Sequence, residues 1–411
     1  MATLTDLRSP AVATSTRQWR AVAASMFAIA WGGNEFTPLL VMYKANGLAV
    51  TTVDLLLFQY VLGIVPALLI GGPLSDRYGR KPLMRPAPVI AATGSLLLAC
   101  GADSVPMLSA GRILCGVALG LAMAVGSSWL EELSQPPFAP DHRSGKGARR
   151  SAMSLTGGFA VGAGVAGVLA QWAPWPHSLA YLINVALCAV AAVRVSRATE
   201  TVVPRADPGR LRDDLRIPAG SHPRFARVVL PVAAWLFASA ATAYAVMPTL
   251  MAPRVHGASI AFSALITVIT LSCGFAIQSV ARRIDRPGTA RAAVVSLSLV
   301  VCGMVSAVFA SHLLTMWATI LTAVVLGAGY GIGMVAGLQE IERIARPDDL
   351  AGLTAVFYSV SYLGFGIPAL LAWLHRSAGL GYPVMSAAGA LAAAACLALV
   401  ARDYVADEAR R

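Results

Sequence analysis

One acidic side chain lies in the middle of a long apolar segment near the N-terminus. Glu35 falls within residues 31–43, WGGNEFTPLLVMY, directly after Asn34 and shortly before Pro38. An ionised acid in such a segment is costly inside a bilayer, so it should face the protein interior or a water-filled cavity. Pro38 has no backbone N–H and leaves the Asn34 carbonyl without its helical partner. We predict that Glu35 takes up and releases a proton and that Asn34 lies at a cavity. The alternatives for Glu35 are pairing with a cationic substrate or a fixed hydrogen-bonding role.

A second charged side chain opens another apolar segment. Arg112 begins the run GRILCGVALG and is followed at four-residue spacing by Gly116 and Gly120. Small residues at this spacing form a stripe that lets a neighbouring helix approach closely. We treat Arg112 as a second candidate for proton coupling, the alternative being an arginine that extends to the membrane surface. The nearest acid on the same side of the predicted membrane is Asp54, at the start of the second helix, with Asp103 next.

A short polar turn separates two apolar segments. Residues 71–82 read GGPLSDRYGRKP and hold Asp76, Arg77, Arg80 and Lys81 within six positions. Charge of this density beside bilayer-length apolar segments requires an aqueous face. Its positive excess indicates the cytoplasmic face.

This turn resembles the signature of a transporter family. The pattern G-x-L-x-D-R-x-G-R-K between the second and third helices is the hallmark of the major facilitator superfamily, and Gly72, Leu74 and Gly79 fill its other positions here. The resemblance implies a secondary transporter in which two bundles rock about a central site. It also implies a conformational latch of ion pairs, with the anchoring of helix ends as the alternative. The residues assigned to the latch are Gly72, Asp76, Arg77, Gly79, Arg80, Lys81, Glu132 and Arg149.

The predicted fifth helix is rich in glycine. Gly158, Gly162, Gly164 and Gly167 leave a face with almost no side chains, which suits close helix packing. The segment resembles the fifth-helix motif of proton-coupled drug exporters in the superfamily, although Ala163 stands where that motif has proline. The resemblance favours export over uptake, with ordinary helix packing as the alternative.

Three tyrosines within apolar segments are further candidates for a substrate cavity. Tyr244 lies in the predicted seventh helix, and Tyr358 and Tyr362 lie in the eleventh. The last two share one helical face at a spacing of four residues. The alternative for all three is aromatic packing.

The composition defines the elements that must position these residues. Only 13% of the 411 residues are charged and 57% are hydrophobic, whereas soluble domains carry about 25% charged residues. Since a spanning helix needs ~20 apolar residues, we predict an all-α integral membrane protein with twelve transmembrane helices. The predicted spans lie near residues 20–43, 54–74, 84–101, 108–133, 151–171, 177–196, 226–250, 258–281, 290–310, 313–338, 351–375 and 381–401.

The spans divide into two six-helix bundles related by pseudo-twofold symmetry. The N-terminal bundle covers residues 1–197, a cytoplasmic linker covers 198–224, and the C-terminal bundle covers 225–411. The two halves form a weak internal repeat, since a charged turn at 282–286 in the second half corresponds to the signature turn in the first. Parallel repeats of this kind are typical of transporters with a central site.

The charge distribution predicts the orientation. Of the 32 Lys and Arg residues, 28 fall on the side of the signature turn and three on the opposite side. This bias places both termini in the cytoplasm of a multi-pass plasma membrane protein. The net charge of +12 therefore needs no nucleic-acid partner.

Other functional classes lack their sequence patterns. No glycine run ending in Gly-Lys-Ser/Thr is present, so no ATP site is predicted. The six cysteines are isolated in apolar runs, which excludes metal-ligand spacing. No enzyme, cofactor or metal is expected. The expected partners are a small-molecule substrate, protons and the lipid bilayer, with the proton gradient as energy source and a monomer as the default.

These patterns together favour secondary active transport by alternating access. The preferred function is proton-coupled export, by antiport, of small amphipathic or drug-like compounds. Uptake of a small organic solute by proton symport or uniport is the alternative within transport. A membrane receptor or scaffold that does not transport is the alternative from another class, and the glycine-rich fourth and fifth helices argue against the rigid plug it would need.

Overall fold

The computed structural model describes residues 18–139, 146–202, 218–286, 289–346 and 349–409, and the elements within them are helical. Two segments make up α1, Trp19–Asn34 and Phe36–Ala45. The rest of the first half consists of α2 Val50–Tyr78, α3 Arg80–Cys100, α4 Val105–Glu132, α5 Lys146–Trp172 and α6 Leu179–Val195. The second half consists of α7 Phe225–Arg254, α8 Ser259–Ile284, α9 Arg291–Leu313, α10 Met316–Ile344, α11 Leu350–Ala378 and α12 Tyr382–Ala409. The predicted all-α class is confirmed.

Ten helices in the described part of the chain are long and apolar enough to cross a membrane. The two other predicted spans are α6, which has 17 residues, and α1, whose segments have 16 and 10 residues. The interruption of α1 falls at Glu35, where the backbone N–H still bonds to the Trp31 carbonyl at 3.2 Å. Pro38 follows in the first turn of the second segment, a position that tolerates proline because the N–H there is already unpaired.

Several helices extend beyond their predicted ends on the side of the signature turn. The helix α2 continues through Asp76 and Arg77 to Tyr78, and α10 continues through Glu340 to Ile344. A reading based on hydropathy stops at the first charged residues. These charged ends remain helical, and ion pairs balance their charges, as where Asp76 pairs with Arg80 and Glu340 with Arg224.

Glycines allow close packing within the first half. A methyl group at Gly116 would overlap the Tyr60 carbonyl, and one at Gly120 would lie 2.7 Å from the Ile64 carbonyl oxygen, so α4 lies directly against α2. Gly158 and Gly162 meet the backbone of α1 in the same way. Four of the predicted packing glycines, Gly116, Gly120, Gly158 and Gly162, therefore lie where neighbouring helix backbones approach each other.

The second half repeats this arrangement. A methyl group at Gly327 of α10 would overlap the Thr270 carbonyl of α8, and one at Gly331 would overlap the Gly274 carbonyl. These are the second and fourth helices of their half, as α2 and α4 are of theirs. The predicted linker at 198–224 lies partly outside the described residues, and its described start packs on α4, where the Trp129 indole donates to the Thr199 carbonyl at 3.0 Å.

The main contacts between the halves are those of α5 with α8, of α2 with α11, and of the second segment of α1 with α7 and α8. Gly164 and Gly167 of α5 face Val268 and Ala264 of α8. We call the membrane side that carries Gly79 the turn side and the opposite side the far side. The contact of α5 with α8 at Gly167 lies in the far-side half of both helices.

Candidate functional site

The carboxyl group of Glu35 is enclosed by the first half. Its side chain is 0% exposed, and neither carboxylate oxygen makes a hydrogen bond to any described residue. The Trp31 indole and the Ser95 hydroxyl of α3 are its polar neighbours, but they do not reach bonding geometry. Arg112 is the charged side chain that acts on it. Of the locations the sequence allowed, the protein interior is the one observed in this conformation.

Arg112 lies close to the same point and is also buried. Its side chain is 1% exposed, and its guanidinium lies between the rings of Phe36 and Tyr60, at 4.7 and 4.2 Å from the ring centroids. Its Nε donates to the Leu56 carbonyl at 3.3 Å and its Nη1 to the Gly33 carbonyl at 3.4 Å. The side chain therefore stays inside the protein rather than extending to the membrane surface.

The acidic neighbour of Arg112 differs from the one that sequence position indicates. Asp54 pairs with Lys44 at 2.6 Å, and Glu35 is the carboxyl group whose charge acts on Arg112. Over the part of the chain that the structure describes, no ion pair brings a carboxylate within 4.0 Å of Arg112. Residue spacing along α2 and α4 cannot reveal this, because the relevant acid is on α1.

Polar groups around the break in α1 hold its shape. The Asn34 amide donates to the Phe159 carbonyl of α5 at 3.3 Å, and its oxygen accepts from the Thr37 hydroxyl at 2.7 Å. The Asn184 amide of α6 donates to the Ala28 carbonyl at 2.8 Å and accepts from Ser95 at 2.8 Å. Asn34 thus connects α1 to α5, and Ser95 is a neighbour of Glu35 that the sequence did not single out.

An aromatic cluster in the second half faces this region. It is defined by Phe237 and Tyr244 of α7, Tyr330 of α10, and Tyr362 and Phe365 of α11. The ring centroids of Phe237 and Tyr362 are 4.3 Å apart, those of Phe237 and Phe365 5.0 Å, and those of Tyr244 and Phe365 6.4 Å. The cluster brings together two of the three predicted cavity tyrosines.

Tyr358, the third predicted cavity tyrosine, has a different main contact. Its ring meets Phe357 edge-on, with centroids 5.6 Å apart. Phe357 belongs to a separate apolar core with Val229 and Leu353. The four-residue spacing places Tyr358 and Tyr362 on one helical face, and Tyr358 is close enough to Tyr330 and Tyr362 for electrostatic interaction. Its ring contact, however, is with Phe357.

The aromatic cluster meets the first half directly. The Tyr362 hydroxyl donates to the Met123 sulfur at 3.2 Å. Tyr60, whose ring covers Arg112, has a buried hydroxyl without a hydrogen-bond partner among the described residues. It is close enough to Tyr244 and Tyr362 for electrostatic interaction between their hydroxyl groups. The candidate site therefore lies between Arg112 and Tyr60 on one side and the aromatic cluster on the other.

The predicted latch residues form a network within the first half. Arg80 pairs with Glu132 at 2.8 Å and with Asp76 at 2.5 Å. Gly79 adopts a φ of 101° at the turn, a left-handed conformation that favours glycine. A methyl group at Gly72 would meet no atom of the described residues within 4 Å, so this glycine makes no close packing contact with them.

A residue that the sequence did not indicate completes this network. The Glu200 carboxylate, at the start of the linker, accepts hydrogen bonds from the backbone N–H groups of Arg80 at 2.9 Å and Lys81 at 2.8 Å. These groups begin α3, where a negative charge is favourable. Thr201 donates to the Glu132 carboxylate beside it. No local motif marks Glu200, because it is brought to the turn by the fold.

The assignment of Arg149 to the ion pairs is not reflected in this conformation. Arg149 is exposed and makes no ion pair with the described residues. Its neighbour Arg150 instead donates to the Ser134 hydroxyl at 2.9 Å and lies 3.8 Å from the centroid of the Trp19 ring. Arg77 is buried at the end of α2. Adjacent residues on a helix point about 100° apart, so only one of two neighbouring arginines can face α4.

The second half carries a corresponding network on the turn side. Glu340 at the end of α10 pairs with Arg224 and, at 3.2 Å, with Arg343. Arg343 also pairs with Asp285, which follows α8. Asp285 occupies the turn that the sequence matches to the signature turn. The internal repeat is therefore visible in the ion pairs as well as in the glycines.

Comparison with known proteins establishes the family. The chain belongs to the major facilitator superfamily, whose family model matches residues 21–369. The resemblance carried by the signature turn and the predicted fold class are thereby confirmed. The protein is a membrane transporter of this type, and its relatives point to a transporter rather than an enzyme.

Two curated relatives match short parts of the chain. A proton myo-inositol cotransporter of Caenorhabditis elegans is 35% identical over 104 residues, which are 25% of this chain and 16% of the relative. A 3-(3-hydroxy-phenyl)propionate transporter of Escherichia coli strain K12 is 36% identical over 78 residues, 19% of each chain. This chain thus covers less than a fifth of either relative.

Solved structures share the fold over almost the whole chain. A POT family transporter in complex with 5-aminolevulinic acid aligns with a TM-score of 0.76 at 13% identity, covering 95% of this chain and 96% of that one. The D323A mutant of the nucleoside transporter NupG aligns with a TM-score of 0.74 at 13% identity, covering 94% of this chain and 99% of that one. At this level of identity the likeness shows the fold alone.

Proposed function

We propose that this protein is a proton-coupled secondary transporter of small organic solutes and that Glu35 carries the coupling proton. One observation supports this most directly: a fully buried carboxyl group without a hydrogen bond to the described residues lies at a helix break, beside an arginine without a close carboxylate. Such intramembrane ionisable groups mark ion and proton pathways.

The charge states in the proposed cycle follow from burial. An ionised carboxylate buried without hydrogen bonds costs far more than a neutral one, so we propose that Glu35 is protonated in this conformation. When the site opens to water, the carboxyl group releases its proton. The ionised group is then stabilised by Arg112, whose guanidinium acts on it electrostatically. Proton binding and release would thus change the charge balance at the junction between the two halves.

The proposed substrate contacts come from the aromatic cluster. Its rings present apolar faces together with tyrosine hydroxyl groups, a combination that suits amphipathic solutes with an aromatic or other flat apolar part. Small drug-like compounds, the predicted substrates, meet this description. Alternating access would expose the cluster first to one side of the membrane and then to the other as the halves rock.

Two directions of transport are proposed, each from a different observation. The glycine-rich face of α5 favours export by antiport, as in the drug exporters it resembles. The names of the two curated relatives, a proton cotransporter and a phenylpropionate transporter, favour uptake by symport. Antiport moves the solute toward the acidic compartment, whereas symport moves it toward the alkaline one.

The test is accumulation by purified protein in liposomes with an imposed pH difference. Suitable probes are ethidium, 3-(3-hydroxyphenyl)propionate and myo-inositol, each compared with protein-free liposomes. A difference of about one pH unit supports a concentration ratio of about tenfold when one proton moves per solute. We expect Glu35→Gln to abolish this accumulation. The matched control is Glu342→Gln, which changes an exposed glutamate at the end of α10 and should leave it unchanged. Full accumulation by Glu35→Gln would exclude Glu35 as the proton carrier.

A further inference from the structure

The N-terminus of α8 lacks a capping side chain of its own. The residue before this helix is Ala258, which has no hydrogen-bond acceptor in its side chain, and no local side chain caps the helix. The first backbone N–H groups of a helix have no partner within the helix, and a side-chain oxygen usually accepts from the second or third of them. Here these groups belong to Ile260 and Ala261.

A side chain from the other half provides the missing acceptor. The Gln171 Oε1 on α5 accepts from the N–H of Ile260 at 3.0 Å and from that of Ala261 at 3.2 Å. Its Nε2 donates to the Gly257 carbonyl at 3.1 Å. The glutamine therefore uses both ends of its amide to cap a helix of the opposite half.

The glycines of α5 make this contact possible. Gly167 lies one helical turn before Gln171, and a methyl group there would overlap the Ala264 side chain of α8. Gly164, about one turn before Gly167, lies close to Val268 of α8. One face of α5 thus lies against one face of α8, and the resulting short distance lets Gln171 reach the helix end.

A second polar contact crosses the same side of the membrane. Lys44 at the end of α1, paired with Asp54, also donates to the Thr249 hydroxyl of α7 at 3.0 Å. Both Lys44 and Asp54 are almost fully buried, with side chains 9% and 4% exposed. This contact and the Gln171 contact both join the halves at the far side.

We propose that Gln171 is an interhalf cap: a capping side chain, supplied by one half, that stabilises the state closed on the far side. Opening of the far side separates α5 from α8 and leaves the N–H groups of Ile260 and Ala261 to water. Loss of a cap weakens a helix end by about 1 kcal/mol, so the interhalf cap shifts the balance of the two states by roughly fivefold. The shift acts on whichever solute is carried, because Gln171 lies away from the aromatic cluster.

The role of the interhalf cap can be tested by pulsed electron paramagnetic resonance, which measures distances between spin labels on the two halves. Ala49→Cys and His256→Cys place labels at exposed far-side positions, in protein whose native cysteines have been replaced. Gln171→Leu removes the cap, and we expect the ratio of the long-distance to the short-distance population to rise about fivefold. Gln171→Glu keeps an oxygen acceptor for both N–H groups but loses the bond to the Gly257 carbonyl, so its long-distance population should lie between those of the unmodified protein and Gln171→Leu.

Two further variants distinguish the effect of losing the interhalf cap from a general loss of structure. Ala258→Ser gives α8 a cap of its own in the open state, so it should raise the open population without lowering thermal stability. Gln135→Leu makes the same change at a glutamine that bonds to Glu131 on its own half and should have no effect on far-side distances. Unchanged distances in Gln171→Leu, or a Gln171→Glu distribution like that of Gln171→Leu, would overturn the proposal. The measurement needs no solute and no pH gradient, so its outcome is independent of the proposed proton coupling.

Discussion

At the scale of single residues, Glu35 and Arg112 owe their properties to their surroundings rather than to their chemical types. Glu35 has neighbours from α3 and α4, and Arg112 lies between two aromatic rings. The sequence indicates both residues, because a charge in an apolar segment is rare and expensive. It does not indicate that they act on each other, since that depends on how α1 and α4 are rotated about their axes.

The aromatic cluster leads to a prediction at the same scale. Tyr362→Leu removes the ring that stacks on Phe237 and should weaken binding of an aromatic probe by about threefold to tenfold, since such ring pairs contribute about 0.5–1.5 kcal/mol. Tyr358→Leu is the matched control, because its ring packs on Phe357, and it should weaken binding less. Probe-induced stabilisation against thermal unfolding measures both effects. Equal losses in the two variants would contradict a site at the cluster.

At the scale of helices, glycine determines how closely the elements pack. Gly116→Ala places a methyl group against the Tyr60 carbonyl, and overpacking of this kind costs about 1–3 kcal/mol. We expect a lower midpoint of thermal unfolding in detergent. Gly157→Ala is the control, because its methyl group would lie 3.6 Å from the Phe27 ring, at an ordinary contact distance. A stable Gly116→Ala protein would show that α2 and α4 can separate without cost.

The turn between α2 and α3 leads to a second prediction for an element. Glu200→Gln removes the negative charge that accepts from the N–H groups of Arg80 and Lys81. Bonds to charged groups contribute about 1.5–3 kcal/mol, so exchange of these two amide hydrogens should accelerate by about tenfold or more. Hydrogen–deuterium exchange with mass spectrometry measures this, with Glu342→Gln as control. Unchanged exchange at the turn would mean that Glu200 does not hold it.

The elements themselves are largely predictable from the sequence, and their polar connections are not. The length of each apolar segment predicts a membrane span, and the signature turn predicts the family. No local sequence pattern marks Glu200 or Gln171, because each accepts hydrogen bonds from a helix end that is distant in the sequence. Arg149 and Arg150 are equivalent in sequence terms, and the rotation of α5 decides between them.

At the scale of the whole molecule, the two halves share a plan and are held together on the far side. Close glycine contacts join α2 to α4 and α8 to α10, and ion pairs close the turn side of each half separately. Polar contacts from Gln171 and Lys44 join the halves on the far side. This distribution fits a molecule whose halves move as units, with a gate on the far side.

In the proposed transport cycle, Glu35 carries a proton together with the movement of a solute. Its most direct test is the proton flux driven by a solute gradient into liposomes containing a pH-sensitive dye, measured alongside solute exchange at equal pH. We predict that the unmodified protein and Glu342→Gln move protons when the solute moves. Glu35→Gln should still exchange solute but move no protons. Solute-driven proton flux in Glu35→Gln equal to that of the unmodified protein would show that Glu35 does not carry the proton.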